Sequence, residues 1–367
     1  MRIAQVVNHY SPCIGGMERV VEDISDILIE HGHEVKVICL DKCANSGKRL
    51  KAKEKIGKII VERIPFVDLK YYKIGFSVLN KIKNCEVVHV HGIGFFSDFL
   101  LLTKWIHKKP VVVSTHGGIF HTPSLGLVKK IYFNFFEKIV LGLADKIIAV
   151  SKNDSELFLK ISGNVILMEN GVNLKRFKSG KKKKNSFIFV GRFSSNKKIK
   201  LLFETFAEIK KSKKDFSLII AGTDWGNLFS EFKENVNLLG LEENISFILN
   251  PSQEEIVQLY ASSEFFVSAS QYEGFGLTLV EAMASGCIPI VQRNNGFEKI
   301  LKDKTDFFTD FTDKKSSAKK IVKIMQKNNL NIAKSIVSAA KKFKWKNKIT
   351  LLETIYSETS MNEPKIV

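Results

Sequence analysis

The chain has 367 residues, of which 44% are hydrophobic and 26% charged, and these ordinary globular values exclude wholesale disorder. At about 100–200 residues per domain, the length predicts two domains. The formal net charge of +19 is unusual, but only seven of the 57 basic residues are arginine. Because arginine is the side chain best suited to recognise bases and phosphates, an excess carried by lysine is only a weak indication of nucleic-acid binding.

Short β-branched runs alternate with helical patterns from the first residues of the chain. Residues 3–7 predict a buried strand, and the apolar spacing over residues 17–28 predicts the helix that follows it. This alternation is typical of a parallel sheet with helices on both faces. Further strands of the first domain are predicted at residues 35–40, 87–90, 111–114, 146–150 and 165–168.

A polar, lysine-dominated segment at residues 178–185 interrupts the pattern and predicts a linker. The alternation then restarts, so we predict a second domain of the same kind. The predicted organisation is an α/β protein with Rossmann-like domains at residues 1–178 and 186–345 and a C-terminal helix in residues 346–367. Strands of the second domain are predicted at residues 187–190, 218–221, 245–249, 265–268 and 288–291.

The cysteines and the apolar segments indicate the compartment. The five cysteines lack the paired spacing of a zinc site, and we expect them to be reduced, buried thiols. The N-terminus lacks a signal peptide's apolar stretch, and no window reaches the roughly 18 uncharged apolar residues of a membrane-spanning helix. We therefore expect a cytoplasmic protein that is soluble or peripheral at the inner face of the cell membrane.

The most specific motif is a pair of glutamates, Glu273 and Glu281, in the segment EGFGLTLVE. Gly274 and Gly276 allow a ligand to approach the backbone closely, and a helix beginning near Leu277 would offer free N–H groups and a positive dipole end to a phosphate. Glu281 lies about one turn into that helix, where it could bind a sugar hydroxyl. A solvated loop glutamate and a surface helix glutamate are the alternative for this motif alone.

Three further groups follow predicted strands, at the edge where open parallel sheets bind ligands. Arg192 and Lys197 are suited to a diphosphate, with ordinary surface cations as the alternative. Gly15 and Gly16 would let backbone amides approach an anion, and a plain tight turn is equally compatible with the pair. His116 is a candidate hydrogen-bond donor to a sugar or an oxyanion.

His89 and His91 alternate within a predicted strand, so they point to the same face of the sheet. A metal site would need at least one more ligand, and none is evident near the pair. We therefore expect structural roles for these two histidines and predict no metal site.

Together these motifs make the chain resemble the retaining glycosyltransferases of family 4, which have the GT-B architecture. The resemblance covers nearly the full length, and its most specific part is the paired-glutamate segment running into EAMASGCIP at residues 281–289. Supporting matches are GGMER at residues 15–19, STHG at 114–117, ADKIIAVS at 144–151, NGV at 170–172, Gly191-Arg192 with Lys197, and FKW at 343–345.

The resemblance implies transfer of a sugar from a UDP- or GDP-linked donor to a glycan or lipid-linked acceptor, with retained anomeric configuration and no obligatory metal. It implies a role in assembling cell-surface glycans, glycolipids or glycoprotein glycans. The implied fold has two Rossmann-like domains facing across a cleft, the first on the acceptor side and the second binding the nucleotide sugar. The final helix would pack back on the first domain.

The resemblance also implies roles for individual residues. Arg192 and Lys197 would neutralise the leaving diphosphate, whose growing charge makes such contacts stronger in the transition state than in the ground state. Glu281 would hold the ribose, and His116 would touch the donor sugar near the reaction centre. With Glu273, which would contact the sugar, these cations and His116 form the expected catalytic set. The other implied donor contacts are Gly15, Gly16, Gly274, Phe275, Gly276 and Leu277 for phosphate and sugar, and Ile248 and Leu249 for the base.

The sequence departs from the family pattern at several positions that bear on donor specificity. Lys198 stands where glycine usually follows the motif lysine, and Asn250 stands where glycine is common before the base-binding loop. Asn173 stands where aspartate often follows Asn-Gly-Val, and one glycine follows Pro289 where two are usual.

Two other functions stay open at this point: a non-catalytic basic protein that binds membranes or nucleic acid, and a nucleotide-sugar epimerase of the same architecture. The joint presence of Arg192, Lys197, Glu273 and Glu281 disfavours the first, because binding alone does not need this constellation. Residues 125–140 are rich in aromatics and lysine and form a candidate membrane-contact surface for a lipid-linked acceptor. A core-packing helix with a solvated lysine face is the alternative.

The positive charge is concentrated in two segments. Residues 181–214 carry twelve Lys or Arg against two Glu, and residues 48–73 carry nine against three acidic residues. We interpret Arg192 and Lys197 as part of a phosphate site. The remainder is either a lysine bias or a basic surface turned toward anionic lipid.

Overall fold

A computed structural model of the chain describes residues 1–13, 15–43, 48–69, 72–116, 132–302, 304–327 and 329–361. The chain divides into two compact units: unit 1 is Met1–Gly171 with Trp345–Val367, and unit 2 is Val172–Lys344. The division lies before the predicted linker because Val172 and Phe177 are already buried in the core of unit 2. The last residues of that predicted linker, 183–185, open a strand.

The strands of unit 1 include every one that the apolar runs predict, with ends that differ by one residue at most. They are β1 (Arg2–Val6), β2 (Glu34–Leu40), β3 (Lys53–Ile56), β4 (Ile59–Ile64), β5 (Val67–Leu69), β6 (Tyr72–Ile74), β7 (Val87–His91), β8 (Val111–Ser114), β9 (Lys146–Ala149) and β10 (Val165–Leu167).

Eight of these strands form one sheet in the order β10-β9-β8-β7-β1-β2-β4-β3, and only β3 runs antiparallel to its neighbour. The central strands β1, β7 and β8 are buried along nearly their whole length, as expected for parallel strands covered on both faces. The short β5 and β6 form a separate hairpin. Because the parallel strands share a direction, the loops after β1, β7 and β8 leave the sheet at the same edge.

Helices fill the connections of unit 1. The first, α1 (Gly16–Glu30), buries an apolar stripe that includes Val20, Val21, Ile24 and Leu28, which is the spacing that predicts it. The others are α2 (Val78–Ile82), α3 (Phe95–Leu102), α4 (Lys104–His107), a π-helical turn (Tyr132–Glu137), α5 (Lys138–Leu141) and α6 (Lys152–Phe158).

Cys13 and Cys43 form a disulfide, so the expectation that all five cysteines are reduced is wrong. The two residues lie in the loops after β1 and β2, and these strands are adjacent in the sheet, which brings the two Cα atoms to 5.4 Å. The other cysteines, Cys39, Cys85 and Cys287, are buried free thiols. Burial raises the pKa of Cys39 to about 12.

Unit 2 is a five-stranded, fully parallel sheet with apolar cores on both faces. All five predicted strands are present. In chain order they are β11 (Lys183–Val190), β12 (Ser217–Gly222), β13 (Ile245–Leu249), β14 (Ser263–Ser268) and β15 (Ile288–Val291), and their order in the sheet is β13-β12-β11-β14-β15.

The helices of unit 2 cover this sheet and leave the carboxyl ends of its strands to loops. They are α7 (Ile199–Ser212), α8 (Phe229–Leu238), α9 (Gln253–Ser262), α10 (Leu277–Ala284), α11 (Asn295–Leu301), α12 (Lys314–Met325) and α13 (Leu330–Ala340), with 3-10 turns at Leu174–Arg176, Ser195–Lys197, Thr305–Phe307 and Lys341–Phe343.

The C-terminal helix α14 (Lys346–Met361) belongs to unit 1. Its apolar residues Ile349, Leu352 and Ile355 are buried, and the Lys348 ammonium donates to the backbone oxygens of residues 169 and 170. Burial lowers the pKa of Lys348 to about 8. Among the described residues, none of these helices is long and apolar enough to cross a membrane.

Candidate functional site

Arg192 lies in the loop directly after β11, at the carboxyl edge of the unit 2 sheet. Its guanidinium carbon lies 4.7 Å from the centre of the Trp225 ring, in the loop after β12. Gly222 allows the two loops to approach each other, because a Cβ added at this position would lie only 1.8 Å from the Gly191 oxygen. Arg192 is exposed and makes no ion pair with any described residue, so stacking on Trp225 holds a cation that is available to an anionic ligand.

Lys197 and Glu273 form an ion pair across the same edge of the sheet. The Lys197 Nζ lies 2.7 Å from the Glu273 Oε1, and the two side chains are only 12% and 13% exposed. The Gln271 amide donates to the Asn196 oxygen at 3.1 Å, so the backbone also links the two loops. The structure therefore brings together a cation and a carboxylate that the sequence places 76 residues apart.

The glycine-rich loop leads from Glu273 into the N-terminus of α10. Gly276 has a φ of 96° and is the residue before the helix, a left-handed conformation that glycine adopts without strain. The helix begins at Leu277, as predicted, so its first amides face the loop. Phe275 is buried against Phe343 with the rings edge to face. This arrangement presents backbone donors and a positive dipole end beside the Lys197–Glu273 pair.

Glu281 lies on α10, one turn beyond that helix start, and is 6% exposed. The buried Tyr260 hydroxyl lies 3.5 Å from its Oε2 and donates toward it. Tyr260 is a residue that the sequence analysis missed, because nothing in the chain pattern ties α9 to α10.

Ile248 and Leu249 end strand β13, an edge strand of the sheet that lies two strands from the central β11. Leu249 is 39% exposed, and Asn250 follows it with a φ of 51°. Asparagine tolerates this left-handed conformation better than most residues, which accounts for its presence where glycine is common. The Asn250 amide donates to the Gly222 oxygen at 2.9 Å, so this loop adjoins the one that carries Trp225.

The remaining predicted residues lie in unit 1. Gly15 precedes α1 and Gly16 is its first residue, so both lie at the N-terminus of a 15-residue helix. His116 follows β8 and has a φ of 43°. A left-handed histidine is uncommon and is held in place by surrounding contacts.

The contacts of His116 belong to a buried hydrogen-bond chain. The His116 Nε2 lies 2.9 Å from the His91 Nδ1, and the His91 Nε2 lies 2.6 Å from the Gln5 Oε1. The Gln5 amide nitrogen donates to the Tyr356 hydroxyl, whose oxygen lies 2.6 Å from the His89 Nδ1. His89 and His91 therefore share one face and serve in packing and hydrogen bonding, as predicted.

Burial controls the protonation of these histidines. Desolvation lowers the pKa of His89 to about 3 and that of His116 to about 4, and the pKa of His91 falls well below its usual value for the same reason. All three are neutral at physiological pH. Among the residues that the structure describes, no group of three His, Cys, Asp or Glu side chains could hold a metal ion.

Both halves of the chain match models of known protein families. The family model described as Glycosyl transferases group 1 matches residues 172–343, and the model described as Glycosyltransferase Family 4 matches residues 14–176. A GDP-mannose:cellobiosyl-diphosphopolyprenol alpha-mannosyltransferase of Xanthomonas oryzae pv. oryzae is 34% identical over 83% of this chain and 81% of its own. An enzyme of the same name from Komagataeibacter xylinus is 30% identical over 82% of this chain and 78% of its own.

Solved structures show the same fold. Sucrose-phosphate synthase from Thermosynechococcus elongatus has a TM-score of 0.75 at 19% identity, covering 97% of this chain and 98% of that one. A glycosyltransferase from Rickettsia africae ESF-5 has a TM-score of 0.72 at 24% identity, covering 98% and 99%. The Anabaena protein HepE, solved with UDP and glucose, has a TM-score of 0.75 at 16% identity, covering 98% and 100%.

The fold and the matches define the class: an α/β glycosyltransferase with the GT-B architecture. Within that class, the chain belongs to the retaining glycosyltransferases of family 4, the glycosyl transferases group 1. The predicted fold class and the predicted transfer of a sugar from a nucleotide-sugar donor are confirmed. The two other functions, a non-catalytic binding protein and an epimerase, do not agree with these matches.

Proposed function

We propose that the donor is GDP-mannose and that the acceptor is an oligosaccharide carried on a polyprenyl diphosphate. Three relatives at 30–34% identity carry this activity in their names, and each aligns with 79% or more of the present chain. The product would be an α-mannoside, because retention preserves the anomer of the donor. Such a reaction belongs to the assembly of cell-surface polysaccharide.

The observation that carries the donor site is the meeting of Lys197, Glu273 and the start of α10 at one sheet edge. We assign the diphosphate to Lys197, to Arg192 and to the amides of Gly274, Gly276 and Leu277. A leaving diphosphate gains negative charge as the glycosidic bond breaks, so fixed cations and amides stabilise the transition state more than the ground state.

The other parts of the donor extend from this point. Glu281 would accept hydrogen bonds from the ribose hydroxyls, and its low exposure makes each such bond strong. Ile248 and Leu249 would pack against the base, and Phe275 would close the loop behind the sugar. From unit 1, His116 would contact the sugar, and the start of α1 at Gly15 and Gly16 would contact the phosphate.

Glu273 is proposed to bind the donor sugar rather than to attack it. Its Oε1 accepts a hydrogen bond from Lys197, and we propose that the carboxylate orients hydroxyl groups of the sugar. We propose that the acceptor hydroxyl enters on the face from which the diphosphate departs. The departing phosphate oxygen would then take the proton of that hydroxyl, so retention needs no covalent enzyme intermediate.

A thermal-shift panel tests the donor assignment. The chain is melted with GDP, GDP-mannose, UDP, UDP-glucose, ADP and ADP-glucose, each at the same concentration. A ligand at 100 times its Kd stabilises the folded state by about 2.7 kcal/mol, so the guanine pair should raise the melting temperature most. Greater stabilisation by the uracil or adenine pair would overturn the GDP assignment.

We also propose that unit 1 docks on an anionic lipid surface, where a polyprenyl-linked acceptor resides. The predicted contact segment, residues 125–140, lies outside the described residues up to residue 131. Beyond it, the Phe135 and Ile139 side chains are 72% and 71% exposed. Trp105 on α4 is 77% exposed, and the neighbouring Lys104 donates to the Leu143 oxygen, which ties α4 to the end of α5.

We assign these exposed apolar side chains, together with the exposed cations Lys108 and Lys138, to the membrane contact, because an interfacial surface combines apolar side chains with basic ones. Sedimentation with vesicles of phosphatidylcholine alone and with added phosphatidylglycerol tests the proposal. The double variant Trp105→Ser/Ile139→Ser should lose binding to the anionic vesicles, and Leu238→Ser, at a 78% exposed position of unit 2, is the control. Equal sedimentation of the double variant and the wild type would refute this docking surface.

A further inference from the structure

A buried series of hydrogen-bonded side chains ends at His116, and it determines which ring nitrogen of His116 carries a proton. Four parts of the fold contribute to it: β1 through Gln5, β7 through His91, α14 through Tyr356, and the loop after β8 through His116. Gln5 and Tyr356 are fully buried and His91 is 4% exposed, so water does not compete for the hydrogen bonds between these side chains.

Gln5 sets the direction of the chain. Its amide nitrogen donates to the Tyr356 hydroxyl at 3.2 Å, which leaves the Gln5 Oε1 facing the His91 Nε2 at 2.6 Å. An amide oxygen can only accept, so the His91 Nε2 carries the proton. A neutral histidine then has an unprotonated Nδ1, and that atom accepts from the His116 Nε2 at 2.9 Å.

We infer that Gln5 and His91 are positioning residues that hold His116 in its neutral, Nε2-protonated form. In that form the Nδ1 of His116 is an acceptor, and no described residue donates to it. This inference rests on the proposed function, in which His116 touches the donor sugar. It assigns the direction of that contact: a sugar hydroxyl donates to the Nδ1, so His116 does not act as the hydrogen-bond donor that the sequence analysis expects.

The left-handed backbone of His116 fits this role. A φ of 43° aims the ring from the end of β8 toward His91 on the neighbouring strand β7, where the two ring centres lie 5.2 Å apart. The side chain is thereby fixed by its backbone and by one directed hydrogen bond. Burial lowers the pKa of His91 well below its usual value and that of His116 to about 4. Neither ring therefore gains the second proton that would change the direction of these hydrogen bonds.

The test reads the tautomer directly. The protein, labelled with ring-¹⁵N histidine, contains eight histidines, and the His116 signals are those missing from a His116→Asn sample. At pH 7 and without donor, the wild type should show a protonated Nε2 and an unprotonated Nδ1 for His116. A protonated Nδ1 in the folded wild type would overturn the inference.

Two variants at one position separate positioning from folding. His91→Phe removes the acceptor, and His116 should then populate both tautomers. His91→Asn offers an amide oxygen in its place and should restore the Nε2-protonated form. Ser114→Ala, which removes a partner of His89 on the other branch, should leave the His116 signals unchanged. An unaltered tautomer in a folded His91→Phe protein would contradict the inference.

The link to the donor is read from binding. Loss of one neutral hydrogen bond corresponds to an about three- to tenfold weaker Kd. His116→Phe, which removes the acceptor, should weaken GDP-mannose by this factor and GDP, which lacks the sugar, hardly at all. His91→Phe should weaken GDP-mannose by about twofold only, because the Nε2-protonated tautomer stays partly populated. Equal weakening of both ligands would overturn the sugar contact. The tautomer measurement needs no donor, so a chain that bound no nucleotide would refute the proposed function and leave the tautomer result standing.

Discussion

The Nζ of Lys197 lies 2.7 Å from the Oε1 of Glu273, in a pair that is largely shielded from solvent. Each residue therefore partly neutralises the other before any donor binds. Binding of a diphosphate brings further negative charge to Lys197, and the carboxylate opposes it. This relationship makes the two ligand classes, nucleoside diphosphate and nucleotide sugar, respond differently to changes at Glu273.

Replacing Glu273 with Gln should separate binding of the nucleotide from transfer of the sugar. The change removes a negative charge beside the diphosphate, so GDP should bind at least as tightly as it binds the wild type. Transfer should fall more than tenfold, because the sugar loses a charged contact worth about 1.5–3 kcal/mol. Calorimetry with GDP and a transfer assay measure the two effects, and Lys197→Met, which should weaken GDP, is the opposite control. Weakened GDP binding in Glu273→Gln would contradict the assignment.

Arg192 and Trp225 should behave as one unit. The guanidinium stacks on the indole, a contact worth about 0.5–1 kcal/mol at an exposed site. Trp225→Ala should therefore lower kcat/KM by about two- to fivefold, and Arg192→Ala should lower kcat far more. The double variant should be no slower than Arg192→Ala alone, because Trp225 acts through Arg192. Independent, additive losses in steady-state kinetics would show that Trp225 has another role.

Glu281→Ala should weaken GDP and GDP-mannose by the same factor, because the two ligands share the ribose. The loss should be about 1.5–3 kcal/mol, or roughly 10- to 150-fold in Kd. Titration calorimetry measures it, with Glu298→Ala as control, since Glu298 lies on the same unit and pairs at the surface with Arg293. A variant that weakened only GDP-mannose would place Glu281 at the sugar and not at the ribose.

Lys198 bears a conformational cost that glycine would relieve. It precedes α7 with a φ of 49°, in the left-handed region that costs an L-residue about 1–2 kcal/mol. Lys198→Gly should raise the melting temperature of unit 2 by about 2–8 °C with transfer activity retained. Lys211→Gly, within α7, should lower stability by up to about 1 kcal/mol and serves as control. Destabilisation by Lys198→Gly in calorimetry would show that its side chain contributes more than its backbone costs.

Much of the fold is predictable because buried parallel strands leave a direct trace in the sequence. Apolar runs such as those of β8, β13 and β15 have the same bounds in the structure as in the prediction. The hairpin of β3 and β4 was missed, because β3 reads KEKI and its charged residues resemble a solvated loop.

The partners of the site residues were harder to predict. Loop residues after strands were identifiable as site candidates from their positions alone. Their contacts join distant parts of the chain: Gln5 meets Tyr356 across 351 residues, and Cys13 meets Cys43 across two loops. Such pairs depend on which strands are neighbours and on the seating of α14, and neither is set by local spacing. Trp225 and Tyr260 were missed for the same reason.

The most direct test is transfer itself. The chain is incubated with GDP-[¹³C]mannose and a cellobiosyl-diphosphopolyprenol acceptor in anionic vesicles, and the product is analysed by NMR at the anomeric carbon. We predict mannose joined to the acceptor as the α-anomer, with release of GDP and loss of transfer in Arg192→Ala. A β-mannoside, or full transfer by a folded Arg192→Ala enzyme, would contradict the site and the retaining mechanism proposed for it.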